Sequence, residues 1–227
     1  RLAFHFAPEV HHSQLGLFVS LYPTILQRNE EAQLRVVDFW GEMKSKPSII
    51  FCSTDAEFES YGKNFGSPAM INLTPFGSYI IVKPDGVNID VLSHEMCHAE
   101  FTERLGWSIK KKEIPAWFDE GLALMLDYRY PRPGLGNTYT NYLMEWQSYP
   151  LAIRREFSID QLKDIDDFFG QELKKTHLAY LYSGLQVSAW MDKVGKEGLY
   201  LLIEEIKQGQ AFQEVYPRIL KKKTEEL

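Results

Sequence analysis

His94-Glu95-Met96-Cys97-His98 constrains this chain more than any other segment. Residues four apart lie on one face of an α-helix, so two imidazoles at this spacing can converge on one metal ion. Neutral imidazoles suit Zn²⁺, which takes nitrogen, sulfur and carboxylate ligands in a tetrahedron. Glu95, one residue past the first histidine, is turned off the ligand axis and can address a water instead. A Lewis acid, a water and a base for the water's proton are the components of metal-assisted hydrolysis. The fold must therefore keep this segment helical and place a third donor opposite the two histidines.

The flanking residues support a helix. Pro84-Asp85-Gly86 is turn chemistry, and Asp90 precedes Val91 and Leu92 as an N-cap would. Val91, Leu92, Ala99, Phe101 and Leu105 supply apolar positions, and Gly106 offers a C-cap. For the third ligand the candidate is Glu120, within Ile114-Pro115-Ala116-Trp117-Phe118-Asp119-Glu120-Gly121-Leu122-Ala123. The 21 residues between His98 and Glu120 can finish one helix, turn and begin another. Pro115 fits a first helical position, and 117–126 reads as a buried apolar helix. A carboxylate inside such a run is costly unless it is paired or bound to metal. Asp119 as the ligand, or an exposed Glu120, remain open on these grounds alone.

His94-Glu95-x-x-His98 followed by Pro115-x-Trp117-x-x-Glu120-Gly121-x-Ala123 resembles the gluzincin metallopeptidases, and within them the peptidase MA-like families. The resemblance implies a zincin-like α+β fold and one catalytic Zn²⁺ held by His94, His98 and Glu120. It also implies Glu95 as the general base and a peptide or protein substrate. At the level of pattern it covers most of residues 48–210, concentrated in the two short elements. One position departs: where thermolysin-like members carry an aspartate four residues after the ligand glutamate, this chain has Leu124. A partner orienting a ligand histidine then has to come from a backbone carbonyl or from Asp127.

The resemblance implies two further features. Gluzincins hold an extended substrate along the edge strand ahead of the active-site helix, and 77–83 stands in that place. Residues 67–72 are similar to an aminopeptidase element, but Ile71 replaces the glutamate that binds a free amine. Many members also place a tyrosine as oxyanion donor on a late helix. His177, Tyr180 and Tyr182 lie 57, 60 and 62 residues after Glu120. In the family a small residue follows the tyrosine by three and a glycine by fifteen. Tyr180, with Ser183 and Gly195, fits that register, and Tyr182 does not.

The rest of the chain is consistent with a compact enzyme. Its 227 residues, 44% hydrophobic, can bury a sizeable core as one catalytic domain. The expected architecture is an α+β lobe over 1–106, ending in the histidine helix, then a helical lobe over 107–227, with the metal between them. A net charge of −6 argues against nucleic-acid binding. The runs 110–112 and 221–223, all lysine, read as solvated loop and tail. Cys52 and Cys97 do not make a disulfide framework. No stretch approaches 18 apolar residues, so no membrane span is expected. The chain begins at Arg1, which fits a trimmed chain with an extracytoplasmic or membrane-attached location.

Strands are expected at 2–7, 48–53, 70–73 and 79–83, and helices at 14–26, 30–43 and 55–61. Beyond Gly106 only helices are expected, at 117–128, 140–146, 161–169, 173–194 and 197–208. Ser158-x-x-Gln161 marks a capping box, and 131–136 a loop. The alternative to a zinc peptidase is a non-catalytic zinc-binding or interaction domain of the same fold. Glu95 argues against it, because a purely structural zinc site has no use for that carboxylate. A zinc hydrolase of a non-peptide amide is the second rival.

Overall fold

The computed structural model describes residues 12–62, 66–169 and 173–225. The fold is α+β, mostly helical, with one small mixed sheet. The chain divides into two compact units, Arg1–Glu103 and Arg104–Leu227. The expected strand at 2–7 lies outside the described residues.

The first unit contains α1 (His12–Trp40), β1 (Ser48–Phe51), α2 (Asp55–Glu59), β2 (Ala69–Thr74) and β3 (Gly77–Val82). A 3₁₀ turn over Pro84–Gly86 then leads into α3 (Ile89–Leu105). Where two helices were expected, α1 is continuous. Gln27 and Arg28 both donate to Glu31, at 2.9 and 2.7 Å, and this i,i+3/i+4 chemistry carries the helix across its polar middle. Strand order is β1-β3-β2, with β1 parallel and β2 antiparallel to β3. This corrects the reading of 77–83 as an edge strand. Its residues Ile80, Ile81 and Val82 are fully buried, because both sides of β3 are already paired. Ile50, Cys52, Phe58 and Ile81 form the small core on one sheet face, with Met70 against them. Burial pushes the Cys52 thiol up to about 12, with the Glu57 charge adding to it, so it is an inert core residue. Cys97 is also free and buried.

The histidine helix is anchored within this unit at both ends. Its cap is Asn88, whose side-chain oxygen accepts from Val91 N at 2.9 Å, and not Asp90. Asp90 instead pairs with Arg35 of α1 at 2.5 Å. Further along, the buried Glu100 carboxylate accepts the backbone N–H of Lys44 and Ser45 at 2.9 and 2.8 Å. Trp40 stacks on Phe101, ring centroids 6.2 Å apart. These contacts fix the rotation of α3 about its axis, and hence the direction in which His94 and His98 point.

The second unit is helical, as expected. It contains α4 (Trp107–Glu113), α5 (Ala116–Ala123), α6 (Tyr139–Gln147), α7 (Leu151–Arg155), α8 (Ile165–Phe169), α9 (Leu173–Lys207) and α10 (Phe212–Glu225). The long α9 breaks at Gly195, whose φ of 64° and ψ of −172° leave helical space, so it is two helical stretches where helices were expected at 173–194 and 197–208, the second ending at Lys207. The capping box at Ser158 and Gln161 is present, but it opens a 3₁₀ turn over Ile159–Leu162. Both lysine runs are helical where loop and tail were expected, and they are largely exposed as expected except at Lys110. Lys110–Lys112 lies in α4 with Lys110 buried, and Lys221–Lys223 lies in α10. Pro115 is the residue before α5 and not its first. The helices α5, α6 and α10 all pack on α9.

Candidate metal centre

On α3 the four-residue spacing brings the two imidazoles together. His94 Nε2 and His98 Nε2 are 3.2 Å apart, and both side chains are about 5% exposed. A tetrahedral ion with bonds of roughly 2.0–2.1 Å places neighbouring ligand atoms about 3.3 Å apart. The histidine pair has that spacing. Glu120 is equally buried, and His94, His98 and Glu120 each offer one ligand atom, all within 4.8 Å of one another. Two imidazoles and one carboxylate form a three-ligand set that leaves an open position on a tetrahedral metal. The group can hold a metal ion. Glu95 is buried on the same helix, one residue beyond the first histidine.

Asp119, the other candidate ligand, is engaged differently. Its carboxylate accepts from Lys110 Nζ of α4 at 2.6 Å. Asp127, weighed as a partner for a ligand histidine, is fully buried and held by Arg129. Arg129 donates to it through its backbone N–H at 3.1 Å, Nε at 2.8 Å and Nη2 at 2.5 Å.

The direction of Glu120 follows from how α5 is packed. Trp117 and Phe118 enter an aromatic core with Phe212 and Tyr216, and Phe118 also meets Trp190. Gly121 lies where α5 meets α9 backbone to backbone. A Cβ there would sit 2.5 Å from Val187 Cγ2 and 2.6 Å from the Ser183 carbonyl oxygen. This explains why a glycine follows the glutamate. It also couples Glu120 to the register of α9, because Ser183 is one turn beyond Tyr180. Gly121→Ala is therefore expected to destabilise the apo protein by about 1–3 kcal/mol in urea unfolding. The better helix propensity of alanine, about 1 kcal/mol, is outweighed because a backbone carbonyl cannot rotate aside.

The three late-helix candidates separate by face. Tyr182 packs on Trp146, at 4.9 Å between centroids, and on Phe157. His177 and Tyr180 lie on the other side of α9, and both stack on Tyr130, at 5.5 and 5.6 Å with ring planes about 30° apart. Phe168 meets Tyr180 edge-on at 5.0 Å, and Phe169 at 5.9 Å. Tyr130 escaped the reading of the sequence. Burial pushes its phenol up to about 12. Arg129 pulls it down, while the Asp127 and Glu120 charges add to the rise. Tyr130 thus feels the charge of one member of the candidate metal group while touching Tyr180. No signal in the sequence separates it from Tyr128, which is exposed.

Its loop is tied back to the end of α5. Asn137 Nδ2 donates to the Leu124 and Met125 carbonyl oxygens, and Arg132 pairs with Glu145 of α6. Among the described residues no helix is long and apolar enough to cross a membrane. Compared with protein-family models, curated proteins and solved structures, the chain matches none.

Proposed function

We propose that this chain is a zinc-dependent peptidase of gluzincin type, hydrolysing peptide bonds with an activated water. The observation that carries the reading is the meeting of Glu120 with the His94–His98 pair. Glu120 lies 22 residues beyond His98, in the separate Trp117-x-x-Glu120-Gly121 element. Its arrival within ligand reach joins two separate sequence elements in one donor set.

His94, His98 and Glu120 would hold the ion. Bound Zn²⁺ supplies a Lewis acid and lowers the pKa of water toward about 7. Glu95 takes the proton of the attacking water and delivers it to the leaving amine. The Tyr180 hydroxyl donates to the carbonyl oxygen as negative charge develops there. The rings of Tyr130, Phe168 and Phe169 restrict the orientations that Tyr180 can take.

Metal analysis together with digestion of a mixed-peptide pool tests the proposal. The purified protein is expected to carry about one equivalent of zinc and to cleave peptides, as a three-ligand catalytic site should. His98→Ala should lose most of the metal and the cleavage with it. Stoichiometric metal with no cleavage of any peptide would favour the non-catalytic binding domain, and full occupancy in His98→Ala would place the metal elsewhere.

A further inference from the structure

The Tyr130 side chain is half-buried, yet among the described residues its hydroxyl has no hydrogen-bond partner. Phenylalanine would lay the same ring on His177 and Tyr180, so packing alone does not call for a phenol here. Folded proteins pair most of the polar atoms they withdraw from water, and an O–H without an internal partner is free to bond a ligand.

The groups that place this hydroxyl all belong to the second unit. The Tyr130 ring lies within about 30° of parallel to both His177 and Tyr180, which are about one helical turn apart on α9. The Glu120 charge acts on the phenol, so the hydroxyl lies within electrostatic reach of one candidate metal ligand. Residues on either side of Tyr130 are tied down. Arg129 donates to Asp127 through Nε at 2.8 Å, Arg132 pairs with Glu145, and Asn137 donates to the Leu124 carbonyl oxygen at 3.3 Å. A donor held in place before the ligand arrives binds it with a smaller ordering cost.

The surroundings also select the acceptor. Burial, with the Asp127 and Glu120 charges, keeps the phenol protonated, so it serves as a donor and not as a base. Arg129, the cation that acts on it, is bonded through Nε and Nη2 to Asp127. A neutral acceptor therefore fits better than an anionic one, and in a peptide the neutral acceptors along the main chain are its carbonyls. A carbonyl beside the scissile one keeps its charge through the reaction. A bond to it stabilises substrate and transition state alike.

We propose that the Tyr130 hydroxyl binds the substrate, donating to a backbone carbonyl that flanks the scissile bond and so setting affinity and not rate. The proposal rests on the peptidase reading of the site and adds a substrate contact to it.

The test compares wild type, Tyr130→Phe and Tyr128→Phe on one peptide that the wild type cleaves. The same peptide is titrated into Glu95→Gln and into Glu95→Gln/Tyr130→Phe, where binding is measured without turnover. Tyr130→Phe is expected to raise KM about 3- to 10-fold, the contribution of one neutral hydrogen bond, with kcat nearly unchanged. The peptide Kd should rise by the same factor in the Glu95→Gln background. Tyr128→Phe, which removes an exposed phenol from the same loop, should match wild type. The urea midpoint of Tyr130→Phe should stay at the wild-type value, because the ring and its stacks remain. Unchanged KM and Kd would overturn the proposal. So would a fall in kcat at constant KM, which would make Tyr130 an oxyanion donor, and so would a lowered urea midpoint, which would give the hydroxyl a structural bond. An effect that disappears when the peptide is amidated at its C-terminus would identify a terminal carboxylate as the acceptor and overturn it as well. These outcomes leave the peptidase reading standing, whereas a wild type that cleaves no peptide removes that reading and the proposal with it.

Discussion

Glu95→Gln is expected to keep its metal and lose turnover, while Glu120→Ala is expected to lose the metal. The two residues are both glutamates, both buried and 25 positions apart, yet they stand in different relations to the histidines. Glu120 contributes an oxygen to a group of donors all within 4.8 Å, so its truncation removes one of three ligands. Glu95 is a neighbour of His94 on the same helix, turned about 100° from it. Glutamine at 95 retains the volume and a carbonyl oxygen but cannot accept the water's proton. Loss of a general base typically costs about 10²–10⁴ in rate. The measurements are metal content by mass spectrometry and kcat/KM on one cleaved peptide. Equal metal loss in both variants would show that Glu95 is a ligand or a structural residue, and the assignment of roles would fail. A Glu95→Gln protein with wild-type turnover would remove the basis for treating the motif as catalytic.

The candidate site was legible because its chemistry is local. The four-residue spacing of His94 and His98 needs only a helix to become a pair of converging donors, and turn and cap signals announce the helix. Glu120 was legible as a charge in an apolar run. The parts that could not be read depend on pairing over longer distances. The 77–83 segment carries the apolar run Tyr79-Ile80-Ile81-Val82, which marks a strand without naming its neighbours. Only the register with β1 and β2 decides its place. Lys110 belongs to three consecutive lysines, and nothing local distinguishes the buried one from its exposed neighbours. Buried, it pairs with Asp119 nine residues on, a partner that a charge count sees only as one more acidic residue. Asp90 looked like a cap because it precedes apolar residues, but Asn88 caps the helix and leaves Asp90 to Arg35, 55 positions earlier.

Gly121 and Ser183 show a third kind of limit. The sequence marks both as small, and the family register uses Ser183 as a marker three residues after Tyr180. What it cannot state is that one is small because of the other. The Ser183 carbonyl oxygen lies 2.6 Å from where a Cβ of residue 121 would be. That contact turns two unconnected sequence features into one constraint on how Glu120 and Tyr180 are spaced.

Tyr180→Phe is expected to lower kcat and kcat/KM together by about 10²–10³, with KM nearly unchanged. The reason is that an oxyanion donor bonds the transition state more strongly than the substrate carbonyl. Phenylalanine keeps the ring, and with it the stack on Tyr130 and the edge contact with Phe168, so folding and metal content should be preserved. That isolates the hydroxyl from packing. Tyr182→Phe is the control. Residue 182 is about 200° around the helix from 180, and its ring rests on Trp146 and Phe157, away from the Tyr130 stack. Burial also lifts the Tyr182 phenol above its ordinary range, as expected of a core tyrosine. Tyr182→Phe should leave kcat within a few-fold of wild type. His177 shares the Tyr130 face with Tyr180, so His177→Ala is the decisive companion. If Tyr180→Phe retains full kcat while His177→Ala loses it, the donor is the imidazole. The register drawn from Ser183 and Gly195 would then have named the right face of α9 and the wrong residue on it.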